Sequence, residues 1–188
     1  CLSTNSECLS GKGIKIAILD TGVDYTHNEL GRCSKIQFLR GSCTKFGGGF
    51  DIINDDYDPF DGNGHGTFIA GIIGANNRLK GFAPNSKLFI YKVLADNGEG
   101  TDATIAKGIE LAMDPNEDGD LSDHVDIISL SLGNFGYSTD FLSTRVDTAV
   151  DAGIIVVVSA GNSGPEGDDD CRLFLNDGSI ASICSPAT

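Results

Sequence analysis

Short apolar runs alternate along this chain with stretches in which apolar residues recur at helical spacing. Strand candidates are residues 14–19, 35–39, 50–53, 88–94, 125–132 and 154–159. Between them Ile105, Ile109 and Ala112 mark one helical stripe, and Leu142, Val146, Ala149 and Val150 mark another at the spacing i, i+4, i+7, i+8. A third helix is predicted to begin at His65, carrying Gly66, Ala70, Gly71 and Gly74 on a scaffold of Ile69, Ile72 and Ile73. Each glycine disfavours a helix by about 1 kcal/mol relative to alanine. Small residues there therefore imply close packing on a sheet, as in a central buried helix. Gly47, Gly48 and Gly49 read as turn chemistry. Strands alternating with helices predict a three-layer α/β fold, a mostly parallel sheet with helices on both faces. No internal repeat or linker breaks the pattern, so residues 1–188 are expected to form one domain.

Three polar groups fall at the ends of these elements. Asp20 closes the first apolar run and is followed by Thr21 and Gly22, which puts it at the carboxyl end of a buried strand. His65 stands where a glycine-flanked turn enters a helix, and Asn162 follows the most apolar run, between Gly161 and the Ser163-Gly164-Pro165 turn. An aspartate, a histidine and an amide donor are three of the four parts of an acyl-transfer site; the fourth is an activated serine. Taken singly, each of the three is commonly a turn or loop residue. Together and in this order, ILDTGVD, GNGHGTFIAGI and VVVSAGNSGP resemble the subtilisin-like serine protease family, whose triad runs Asp, His, Ser along the chain. YKVL at 91–94 and SLSLG at 129–133 extend the resemblance from about residue 11 to the end.

The resemblance implies a subtilisin-like fold and a serine endopeptidase acting on peptide or protein substrates. His65 is expected to serve as general base, Asp20 to hold its imidazole, and Asn162 to donate to the oxyanion. Substrate is expected to pair with two backbone edges, Asn97, Gly98, Glu99 and Gly100 on one side and Ser131, Leu132 and Gly133 on the other. The side-chain pocket would be walled by 131–133 and by Ser159, Ala160 and Gly161. Glu99 is either a selector for a basic substrate side chain or a solvated loop acid.

Three departures from the family pattern matter. Phe68 stands where most members carry a second, non-catalytic histidine, and residues 76–83 are shorter than the loop that binds calcium in many secreted members. His27 is expected to be structural. No GTSMA-like serine segment occurs, and SPAT at 185–188 resembles the stretch between the asparagine and that serine. The chain is therefore expected to stop part-way through a catalytic domain, to be inactive alone, and to have the serine-bearing remainder as a partner. The alternative is an inactive relative that binds peptides or calcium.

Composition narrows the setting. With 13 basic and 27 acidic side chains the net charge is −14, which repels nucleic acid and anionic membrane and suits a secreted protein. No apolar run reaches the roughly 18 residues needed to span a bilayer. Residues 1–10 show no basic, apolar signal peptide, so the N-terminus reads as mature. Six cysteines, with no CxxC pair and no histidines clustered near them, read as disulfides in an oxidising compartment rather than as zinc ligands. Six cysteines allow 15 connectivities; the simplest joins sequence neighbours, Cys1 with Cys8, Cys33 with Cys43 and Cys171 with Cys184. Finally, DPNEDGDLSDHVD at 114–126 places Asp114, Asn116, Asp118 and Asp120 at alternate positions around Gly119, like the start of an EF-hand loop. Val125 occupies the position that needs a bidentate glutamate. Asp123 or Asp126 would have to close the shell of a structural calcium ion.

Overall fold

The structure, a computed structural model, describes residues 9–133 and 140–161 and the backbone of 173–174 and 180–181. Five strands, β1 (Lys15–Asp20), β2 (Phe46–Asp51), β3 (Lys87–Lys92), β4 (Ile127–Leu130) and β5 (Ile155–Val158), form one all-parallel sheet in the order β2-β3-β1-β4-β5. A parallel sheet demands crossovers, and helices supply them: α1 (Lys35–Leu39), α2 (His65–Gly74), α3 (Asp102–Met113) and α4 (Phe141–Asp151). Leu173–Phe174 and Ile180–Ala181 pair as a separate two-stranded ribbon.

Alternation along the strands separates two cores. Ala17, Leu19, Ile128 and Leu130 point to the face covered by α3 and α4, where they meet Ile105, Ile109, Leu142 and Ala149. Ile16, Ile18, Leu88 and Ile90 point the other way, to Phe38 of α1 and Ala70 of α2. The predicted sheet with helices on both faces is therefore what forms. α3 starts at a Thr101–Thr104 capping box and α4 at Asp140, whose side chain accepts from the Ser143 amide. Val150, assigned from its spacing to the α4 core stripe, is half exposed instead.

Two predicted elements are corrected. Residues 35–39 form helix α1, not a strand. Ser34 and Gln37 make a reciprocal capping box that nucleates it, and of its apolar residues only Phe38 is buried, while Ile36 and Leu39 face out. The glycines at 47–49 are strand, not turn: β2 begins at Phe46 and bulges between Phe46 and Gly48. Small residues are required there because a Cβ at Gly47 would lie 2.4 Å from the Phe89 ring, and one at Gly49 only 2.1 Å from the Ile90 carbonyl oxygen.

α2 packs by its smallest residues, Gly66, Ala70 and Gly74. A Cβ on Gly66 would sit 2.1 Å from the Gly22 carbonyl oxygen, so the helix rests directly on the loop after β1. Its opposite side is uncovered among the described residues, with Phe68 65% exposed and Ile72 also outward. On the same side of the sheet β5 is uncovered among the described residues: Ile155 and Val157 are 62% and 54% exposed, while Val156 and Val158 pack inward on the other face. Cys33 and Cys43 form a disulfide joining the turn before α1 to the approach to β2, which matches the pairing of sequence neighbours. Cys1, Cys8, Cys171 and Cys184 lie outside the described residues.

Candidate active site

The carboxyl ends of β1, β4 and β5 lie side by side, and the crossovers from β1 and β3 leave that end toward opposite faces of the sheet. This is the crevice where open α/β sheets collect polar groups. Asp20, the last residue of β1, is almost wholly buried there and accepts from the Thr21 amide at 2.7 Å. His65 opens α2 directly above it, with Nδ1 at 2.7 and 2.9 Å from the two Asp20 carboxylate oxygens. An ionised carboxylate only accepts, so Nδ1 carries the proton and the neutral ring leaves Nε2 with a free lone pair. The His65 side chain is 46% exposed, so the far side of the ring is open to a reactant.

A buried carboxylate holds this arrangement. The N-cap of α2 is Gly64 (φ 108°), which has no side chain to satisfy the orphan amides of the first turn. Asp61 does so instead: it accepts from the Asn63, Gly64 and Thr67 amides at 2.8–2.9 Å, from Thr67 Oγ1 at 2.5 Å and from Thr21 Oγ1 at 2.9 Å. Thr21 in turn accepts from the Gly66 amide at 3.0 Å. One side chain thus ties the residue after Asp20 to the residues flanking His65. Burial raises the Asp61 pKa, but the bonds from Gly64, Thr67 and Asn63 outweigh it and hold the carboxyl below its ordinary value. Lys92, opposite Asp20 in the β1–β3 register and nearly buried, donates to the Thr21 carbonyl and to Asp96, both at 2.6 Å. Neither Asp61 nor Lys92 was singled out from the sequence; an acid just ahead of a glycine-capped helix was the available signal for the first.

The other expected site residues fall into three groups. Ser131, Leu132 and Gly133 follow β4, and Ser159, Ala160 and Gly161 follow β5; Ser159 donates from its amide to Leu130 O at 3.0 Å and from its hydroxyl to Leu132 O at 3.1 Å, so the two segments are joined. Asn97, Gly98, Glu99 and Gly100 form an exposed turn closed by Ala95 N to Glu99 O at 2.8 Å, and the Glu99 carboxylate accepts from the Asn97 side chain at 2.7 Å. Asn162 lies outside the described residues, one position after Gly161.

The acidic loop after α3 is organised around its own backbone. Asp114 accepts from the amides of Asp118 and Gly119, Asn116 from Asp118, Asp118 from Asp120, and Asp120 from Ser122. Val125 is fully buried and Asp126 turns away to accept from the Lys15 amide at 2.7 Å. One Asp123 carboxylate oxygen is buried without a hydrogen-bond partner, yet no group of three or more acidic, histidine or cysteine side chains converges on it or elsewhere among the described residues.

Comparison with known proteins identifies the family. The subtilase family profile matches residues 11–188. The chain is 38% identical over 168 residues to the minor extracellular protease Vpr of Bacillus subtilis, covering 84% of this chain and 19% of that protein. It is 36% identical over 167 residues to subtilisin of Bacillus pumilus, covering 87% of this chain and 52% of that one. The crystal structure of a cold adapted subtilisin-like serine proteinase superposes with a TM-score of 0.64 at 30% identity, covering 87% of this chain and 52% of the other. The chain thus spans about half or less of these relatives' own length. By sequence along nearly all of its residues and by the form of its sheet, it belongs to the subtilase family.

Proposed function

We propose that this chain contributes the aspartate, the histidine and the oxyanion donor of a serine endopeptidase site, acting on peptide or protein substrates outside the cell. The observation that carries the reading is the bidentate approach of His65 Nδ1 to the buried Asp20 carboxylate, with the opposite edge of the ring open. In this reading His65 Nε2 takes the proton from a serine hydroxyl as its oxygen attacks the scissile carbonyl, then returns it to the leaving amine. Asp20 keeps the ring in the Nδ1–H tautomer and stabilises the imidazolium. Asn162 donates its side-chain amide to the developing oxyanion. The substrate chain lies between the turn at 97–100 and the segment 131–133, with its side chain directed toward 159–161.

No serine segment of the GTSMA type occurs within the 188 residues, so this reading takes the nucleophile to be supplied from outside them. The flank of α2 and the side of β5 left uncovered among the described residues are where such a serine-bearing portion would pack, beside the free edge of His65. An oxidising, extracellular setting is supported by the Cys33–Cys43 disulfide. The chemistry of this reading does not depend on calcium at the acidic loop.

A fluorophosphonate probe tests the proposal. The 188-residue chain alone should remain unlabelled; a polypeptide that adds the serine portion should label stoichiometrically, and His65→Ala should abolish that labelling. In the completed enzyme Asn162→Ala should lower kcat by about a hundred- to a thousandfold with KM little changed, the loss known for the corresponding donor of the relative subtilisin. Labelling that survives His65→Ala, or an Asn162→Ala variant that changes mainly KM, would overturn the assignment.

A further inference from the structure

A cavity of about 430 Å³ lies on the far side of the molecule's chemistry, between the turn at 28–32, the approach to β2 at 44–45 and the segments 76–77 and 84–86. Its lining contains two cations, Arg32 and Lys45, and the amides of Asn28, Asn76, Asn77 and Asn85, but no carboxylate. In a chain with 27 acidic side chains and a net charge of −14 that selection is unexpected. Lys80 and Lys87 stand nearby and add to the positive field. None of the four cations has a carboxylate within ion-pair distance among the described residues. Their partners are neutral. Lys45 donates to the Pro84 and Ser86 carbonyls at 2.6 and 3.4 Å, Lys87 to the Cys43 and Thr44 carbonyls, Lys80 to the Asn76 side chain at 2.5 Å, and Arg32 Nε to the Asn28 side chain.

We propose that this cavity is a binding site for a small tetrahedral oxyanion of the phosphate or sulfate class. Lys45 is the anchor. It is only 8% exposed, and a buried ammonium without a counter-ion is costly to keep charged. Burial, with Lys80 and Lys87 adding to it, lowers the Lys45 pKa below the ordinary lysine value, and an anion in the cavity would reverse both effects. An ammonium has three N–H donors and a guanidinium five. Lys45 commits one proton to a short bond and a second to a long one, while Arg32 commits only Nε, so four guanidinium protons and at least one ammonium proton remain to meet anion oxygens. Neutral amide nitrogens around the rim supply further donors without adding charge. A cation would meet Lys45 and Arg32 and be repelled; an apolar ligand would leave those donors unpaired.

Titration calorimetry of the full chain with inorganic phosphate tests the site, in chloride of matched ionic strength and with a phosphoserine tripeptide run in parallel. Saturable one-site binding is expected, weakened about tenfold or more by Arg32→Gln and by Lys45→Met and unchanged by Lys107→Gln, which removes a cation from α3. Stronger binding of the tripeptide would identify the anion as one carried on a peptide, and equal or weaker binding would identify the free ion. Arg32 is exposed, so its variant carries the test even if Lys45→Met fails to fold. Absence of saturable binding by either probe, or equal loss in Lys107→Gln, would overturn the proposal.

Discussion

Asp61 gives the His65–Asp20 pair its geometry without touching a reactant. Its carboxylate gathers five hydrogen bonds from residues on both sides of the crevice. Asp61→Asn replaces an all-acceptor group by one that must donate with one arm, so at least one buried amide or hydroxyl loses its partner, at a cost of about 1–3 kcal/mol. The sign with pH follows from the depressed pKa. The native state holds Asp61 ionised more strongly than the unfolded chain does, so its stabilisation is full above the unfolded value near 3.8 and is lost as pH falls through the lower folded value. Urea unfolding of parent and Asp61→Asn should differ most at pH 7 and converge toward pH 3. An equal difference at both would mean that the carboxylate charge is not what matters. Asp20 and His65 were legible in the sequence because each sits in a short contiguous segment at a predicted element end. Asp61 and Lys92 were not, since their roles arise from bonds to Thr21, 40 and 71 positions away, that no local spacing encodes.

At the scale of elements, α2 determines how closely the histidine approaches the sheet. Its glycines are not equivalent: a Cβ at Gly66 would strike the Gly22 carbonyl, whereas one at Gly71 meets nothing within 4 Å. Gly66→Ala should destabilise by about 1–3 kcal/mol through overpacking and lengthen the His65–Asp20 contact, seen as loss of the downfield Nδ1 proton resonance. Gly71→Ala should raise stability by about 0.4–1 kcal/mol, since alanine restrains the unfolded chain and suits a helix, and should leave that resonance in place. Thermal unfolding and proton NMR of the two variants separate the effects; similar behaviour would show that α2 does not rest on that loop. The strands β1, β3, β4 and β5 were read from their apolar runs to within a few residues: β1, β3 and β4 are apolar because helices cover both faces of the sheet there, and β5 is apolar even on the face that the described residues leave exposed. The misreadings lie where another constraint wins. A capping box turns 35–39 into helix despite its apolar residues, and contact with Phe89 and Ile90 demands glycine within β2, so the strand hides as a turn signal.

For the molecule as a whole, the alternation of elements was enough to predict the layered α/β form, while the pairing of distant surfaces was not. The Cys33–Cys43 bridge spans a separation of 10 residues and closes the segment containing α1. The paired variant Cys33→Ser, Cys43→Ser should lose about 2–3 kcal/mol by the chain-entropy relation, read as a lower urea midpoint with the slope little changed; an unaltered midpoint would show that the bridge is incidental. The uncovered edge at β5 has a different consequence, one of timing. Synthesis proceeds from the amino end and domains begin to organise as they emerge. Once about residue 160 has left the ribosome, the sheet can already be complete as far as β5, with Ile155 and Val157 exposed and, among the described residues, an unpaired row of backbone donors and acceptors along its outer edge. While that surface stays uncovered, the nascent chain exposes apolar side chains of the kind that make folding intermediates prone to associate.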